Sequence, residues 1–182
     1  MTKAISIPKL VKESDKQLVF QISDDKLYLA DKPGTFLIET DFDESDLEDL
    51  RKRGCEIREK DSLKIFFDSN YNGNKRRYLA EDLGITLTDN SGKSVTWLIA
   101  EKDGATMVAK VSRDKLDIFR EYTAEMSSGR EAVAITSYSY RALVLPIRMA
   151  AGGMMDRASM KIIELSEAIR LSDPVRLSLT TR

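Results

Sequence analysis

The residues in this chain best equipped for chemistry form a mixed run of aromatics and cations. Tyr71 and Tyr78 bracket Lys75, Arg76 and Arg77. Aromatic faces interleaved with guanidinium and ammonium groups are what a single-strand binder uses to stack bases and neutralise phosphates. The run follows Ser69-Asn70-Tyr71-Asn72-Gly73-Asn74, a stretch dense in residues that tolerate turns, so it is expected on an adaptable loop. A second surface is expected from Arg130, Tyr138, Tyr140, Arg141 and Arg148. On a strand, Tyr138 and Tyr140 would share one face and Arg141 the other. Eight basic and five acidic residues fall between Arg130 and Arg182, a local balance of +3. Against both stands the ordinary outcome: a basic loop that is merely solvated, with Tyr78 packed in a core.

Other constellations are weaker. Asp41, Asp43 and Ser45 match the first three ligand spacings of a calcium loop, but Asp46 stands where the turn needs Gly and Lys52 where the bidentate Glu belongs. The acidic run reads instead as the first turn of a helix, where the dipole favours carboxylates. Ser91-Gly92-Lys93-Ser94 ends like a phosphate loop, yet Leu87 occupies the first glycine position and a strand follows where a helix should. Asp24-Asp25-Lys26, with Glu13 or Asp15 upstream, has the spacing of a Mg²⁺-dependent nuclease site but spans an expected turn. Cys55 follows a helix C-terminus, where the dipole disfavours a thiolate, so it reads as a small apolar residue.

The chain contains no histidine. That removes the commonest acid/base near neutral pH, the Ser-His and Cys-His nucleophile pairs, and the usual nitrogen ligand of zinc, copper and iron. Catalysis would have to rest on carboxylates with a hard metal, or on lysine. No catalytic residue, metal site or cofactor is assigned. With 29 basic and 30 acidic residues the net charge is -1, so no global basic field draws the chain to nucleic acid or membranes. A single cysteine excludes an intramolecular disulfide. Met1 to Glu13 lacks the apolar core of a signal peptide and no stretch has the length of a membrane span, so a cytoplasmic location, or host cytoplasm for a viral protein, is expected.

The elements that must position these residues follow from periodicity and punctuation. Hairpins are expected from Leu18–Ile22 with Lys26–Ala30, and from Ser94–Ala100 with Ala105–Val111; further strands are expected at Thr35–Thr40, Cys55–Arg58, Leu63–Phe67, Ile85–Thr88, Ala132–Thr136 and Tyr138–Leu145. Helices are expected after Asp41 or Asp43 up to Gly54, from Tyr78 to Gly84, and from Ser112 to Ser128, the last carrying Leu116, Phe119, Tyr122 and Met126 on one face. Gly152-Gly153 marks a hinge before a C-terminal helix (154–172). Asp156 caps it, Met155 and Met160 form a staple, and Ala158, Ile162, Leu165 and Ile169 make its buried stripe. Residues 1–16 read as a flexible arm. Strand runs followed by a helix, from Leu18 to Gly54 and from Ser94 to Gly129, resemble in outline the Whirly-type single-strand-binding layout, with no motif and hence no residue carried over.

The expected fold is one α+β domain over 1–182, a mainly antiparallel sheet of hairpins packed against two longer helices. The expected function is non-catalytic: an intracellular binding or regulatory protein of the phage or mobile-element accessory kind, with a protein partner and self-association through the C-terminal helix. Two alternatives remain, a single-stranded DNA or RNA binder using the residues above, and a carboxylate/Mg²⁺ enzyme.

Overall fold

The computed structural model describes residues 17–73, 75–128, 130–147 and 156–172. Ten strands form one sheet: β1 (Leu18–Ser23), β2 (Lys26–Asp31), β3 (Phe36–Thr40), β4 (Glu56–Ile57), β5 (Tyr78–Thr88), β6 (Ser94–Lys102), β7 (Ala105–Ser112), β8 (Thr123–Met126), β9 (Val133–Thr136) and β10 (Tyr140–Val144). Their order is β4-β1-β2-β3-β10-β9-β8-β5-β6-β7. Every pairing is antiparallel except the short β1–β4 contact. Among the described residues four helices accompany the strands: α1 (Glu44–Lys52), α2 (Ser62–Tyr71), α3 (Arg113–Leu116) and α4 (Arg157–Ser172).

Local chemistry accounts for the first hairpins. Asp24 and Asp25 have φ of 49° and 58°, the positive pair that a two-residue hairpin turn needs. Asp31, buried, accepts the Thr35 and Phe36 N–H groups at 2.6 and 3.2 Å and ties the β2–β3 loop. Asp43 caps α1 with a reciprocal box: it accepts the Asp46 N–H at 3.1 Å and donates its own N–H to Asp46 at 2.9 Å. The acidic run is thus a helix N-terminus, with Leu47 and Leu50 buried below it.

The sheet coils on itself. Leu145 donates its N–H to Thr35 beside β3, and two residues later Ile147 donates to Lys110 on β7, the tenth strand in order. Two residues span about 7 Å, so the middle and the far edge of the sheet come together there. Phe20, Leu29 and Ile38 from one half and Leu98, Ala109 and Val111 from the other consequently share one inner core, closed by Leu116 and Phe119. On the outer face α2 covers Val19, Tyr28, Leu37 and Leu143, while α4 covers Val95, Trp97 and Val108.

Four sequence expectations are corrected. The helix from Ser112 to Ser128 shrinks to the single turn α3, and the chain then enters β8. Ala124 and Met126 are buried while Thr123 is exposed, a period of two that fills the place between β9 and β5; Leu116 and Phe119 are buried without a continuous helix. Gly129 lies outside the described residues. Leu63–Phe67 is helical instead of extended, because Leu63, Phe67 and Tyr71 recur at four-residue spacing toward the sheet. Ser69, Asn70 and Tyr71 belong to this helix too, not to a loop. Tyr78–Gly84 opens β5, and Gly84 (φ 71°) sits in a bulge instead of ending a helix.

The C-terminal helix forms after Asp156; of the expected stripe Ile162 is buried, Ala158 half-buried, Leu165 exposed and Ile169 outside the described side chains, while Ser159 and Ser166 are buried beside Ile162. The serines tolerate burial because their hydroxyls are bonded, Ser159 to Trp97 and Ser166 to the Ile163 carbonyl. Met160 is exposed; Met155 and the Gly152-Gly153 hinge lie outside the described residues, as do residues 1–16. No described helix is long and apolar enough to cross a membrane.

Candidate interaction site on helix α2

One row of side chains crosses five strands on the outer face. The strand register sets Gln21 opposite Tyr28, Tyr28 opposite Glu39, Glu39 opposite Arg141 and Arg141 opposite Thr136. Helix α2 lies along this row, and Gln21, Tyr28, Arg141 and Thr136 each hold part of it. Gln21, 2% exposed, accepts the Leu63 and Lys64 N–H groups at 3.0 Å each and donates to the Lys60 carbonyl at 2.6 Å. It supplies the N-terminal cap that Asp61, which makes no side-chain cap bond, does not. The Tyr28 ring meets Phe67 edge-on at 5.8 Å, and Phe67 stacks on Tyr71 at 5.0 Å and 10°. The Tyr71 hydroxyl is hydrogen-bonded to Thr136.

Charge within the row is balanced. Arg141 Nε reaches Glu39 Oε1 at 2.7 Å, and the Tyr28 hydroxyl donates to Glu39 Oε2 at 2.9 Å. The Arg141 guanidinium also lies over Phe67 at 5.4 Å and Tyr71 at 4.9 Å. Burial, then the Glu39 carboxylate, push the Tyr28 hydroxyl well above its ordinary range.

The structure brings Tyr71, Arg77 and Arg141 of the two expected surfaces together and separates the others. Arg77 sits 4.9 Å over the Tyr71 ring and donates to the Asn70 carbonyl at 2.8 Å and to the Tyr71 carbonyl, closing the C-terminal end of α2. Lys75 pairs with Glu131 at 2.5 Å, and Glu131, which also accepts from Ser127, is held below the usual carboxylate range by Lys75 and then Ser127. Arg76 is exposed and lies 5.1 Å over Tyr78, with Lys102 at 5.9 Å from the same ring. Tyr138 and Tyr140 do not share a strand face. β10 begins at Tyr140, leaving Tyr138 in the preceding turn, 99% exposed. Tyr140 is buried against Phe119, and its hydroxyl donates to the Arg120 carbonyl at 2.9 Å. Arg130 lies in an exposed turn, and Arg148 falls outside the described residues.

No family model matches this chain, and no curated protein or solved structure matches it.

The other candidates resolve into local roles. Asp24 reaches Lys64 at 3.5 Å and Lys26 reaches Asp41 at 2.6 Å. Among the described residues no three His, Cys, Asp or Glu side chains converge as a metal site, and Glu13 and Asp15 lie outside them. Ser91-Gly92-Lys93 is the β5–β6 turn, organised by Asp89, which accepts the Ser91 and Lys93 N–H groups at 2.9 Å each. Cys55 is half-buried, and burial pushes its thiol up.

Sequence reasoning missed Ile65 and Phe66. They are adjacent on α2 and 63% and 48% exposed, while Phe67 beside them is fully buried. The signal was present in Leu63-Lys64-Ile65-Phe66-Phe67, which carries more apolar side chains than one helix face can bury.

Proposed function

We propose that the chain is a non-catalytic binding protein that acts through a protein interface centred on α2. What supports this is the exposed pair Ile65–Phe66 on a helix held at both ends and along its length. Large apolar side chains left to water on a rigid element are the usual anchors of a protein interface, and a pre-ordered helix loses little further entropy on docking. The basic residues of the neighbouring run support the same reading, since Lys75, Arg77 and Arg141 already have partners within the fold. The test is capture of partners from source-cell extract by the immobilised chain and by an Ile65→Ser, Phe66→Ser variant. Because both residues are exposed, the variant should keep its stability within about 0.5 kcal/mol and lose the captured polypeptides. Equal capture by both proteins would sink the reading.

A second reading, single-strand binding, is supported by Arg76 and Lys102 over the half-exposed Tyr78 ring. It expects salt-sensitive binding of labelled single-stranded DNA or RNA, measured by fluorescence anisotropy, with a shallower salt dependence in Arg76→Ala, Lys102→Ala. Absence of binding at low salt, where attraction between charges is strongest, removes it.

A further inference from the structure

Strand β5 is longer than one of its neighbours. β6 accompanies it to Thr88, whereas β8 pairs only with Tyr78, Leu79 and Ala80. From Asp82 onward no other strand among the described residues takes that edge. A bulge in the β5–β6 ladder between Asp82 and Thr86, with Gly84 at φ 71° and its N–H on Asp82 Oδ1 at 2.8 Å, follows just past the last β8 pair. Gly84 within it and Thr86, Leu87 and Thr88 beyond it are exposed. Leu83 to Thr88 carries no charge, so this edge lacks the lysines that usually discourage strand addition.

Its side chains alternate. Leu87 lies opposite Val95, on the face that Ile85 shares with Trp97 and α4, and Thr86 lies opposite Thr96 on the other. Both ends are acidic. Arg113 serves Asp82 at 2.7 Å and Asp117 at 3.1 Å, leaving two carboxylates against one guanidinium, and Asp89 closes the other end. Two-fold antiparallel pairing with a second copy would set Asp82 against Asp89, which disfavours that occupant.

We propose that the β5 edge from Leu83 to Thr88 takes an extended peptide of a partner protein as an added strand, with apolar residues at alternate positions and lysine or arginine at both ends. Main-chain hydrogen bonds supply the attraction, the Ile85–Leu87 side selects the apolar positions, and Asp82 and Asp89 select the basic ends. This surface is separate from Ile65–Phe66 and stands without it.

The probe is a labelled synthetic peptide, Lys-Leu-Thr-Val-Ser-Leu-Thr-Lys, titrated into the full chain with anisotropy and hydrogen exchange as readouts. The expected result is binding that slows exchange within Leu83–Thr88, weakens about tenfold or more when the end lysines become glutamates, and is lost with a central proline or in Leu87→Asp. The Ile65→Ser, Phe66→Ser variant should bind the peptide as wild type does. Buried Trp97 gives a near-ultraviolet signal that verifies folding of each variant. Absence of binding, equal binding of the proline peptide, or protection already present in the free chain at Thr86 and Thr88, whose N–H groups alternate away from β6, would overturn the proposal. So would protection that grows with protein concentration alone, since the occupant would then be a second copy.

Discussion

Glu39 is the residue on which the outer row depends. It is 6% exposed and accepts from both Tyr28 and Arg141. Glu39→Ala leaves a guanidinium and a phenol without their acceptor, and removal of one partner from a buried pair costs about 3 kcal/mol, less here because Arg141 is partly open to water. Urea unfolding should show that loss, and Tyr28→Phe should show a smaller one. The same environment predicts alkaline sensitivity. Tyr28, Tyr122 and Tyr140 all have native values raised above 10.0, chiefly by burial. The unfolded chain therefore gives up these protons first. Their contribution is fully present below about pH 10 and is lost as pH rises through the native values. Tyr28→Phe should move the midpoint of alkaline unfolding upward; an unchanged midpoint would place the sensitivity elsewhere.

At the scale of elements, α4 is held by few contacts, and one of them is easily removed. Trp97, 1% exposed, donates its indole N–H to Ser159 at 2.9 Å, and Lys110 reaches Asp156 at 3.0 Å. Burial raises the Asp156 carboxyl, but bonds from Ser159 and Lys110 outweigh it and hold the group below its ordinary value. Ser159→Ala leaves a buried donor unsatisfied and should cost about 1–3 kcal/mol. Trp97 is the chain's one tryptophan, so its fluorescence reports directly whether the helix lifts from β6 and β7. Since the carboxyl is depressed, its contribution is present above the unfolded carboxylate value and is lost as pH falls through the native one. An acid titration of Trp97 emission should show that step, and Asp156→Asn should abolish it.

For the whole molecule, the coiled sheet makes one inner core from both halves, which predicts a single cooperative unit. Leu29 in β2 and Leu98 in β6 belong to the same buried cluster. Leu29→Ala should cost about 2–5 kcal/mol, and hydrogen exchange should register the same loss in β6 as in β2. A loss confined to β1–β3 would mean two separately folding halves.

What the sequence determined by itself is what depends on neighbours along the chain. Asp24-Asp25 prescribes a hairpin turn, the acidic run at Asp43 prescribes the start of α1, and the turn expected over 101–104 joins β6 to β7 through Asp103-Gly104. The absence of histidine limits the chemistry open to the chain. What only the tertiary structure decided depends on partners distant in sequence. Leu63–Phe67 is apolar enough for strand or helix, and Gln21, more than forty positions away, caps it as a helix. Tyr122 to Met126 fits a helical stripe nearly as well as a strand, and the open places beside β5 and β9 resolve it as β8. The cations at 75 and 141 looked free in sequence because Glu131 and Glu39 stand 56 and 102 positions away, and Arg77 because the carbonyls it caps are a helix end only once 62–71 is helical. Ile65 and Phe66 acquire meaning for the same reason: which apolar side chains of α2 meet water is set by the face the row from Gln21 to Thr136 has already taken.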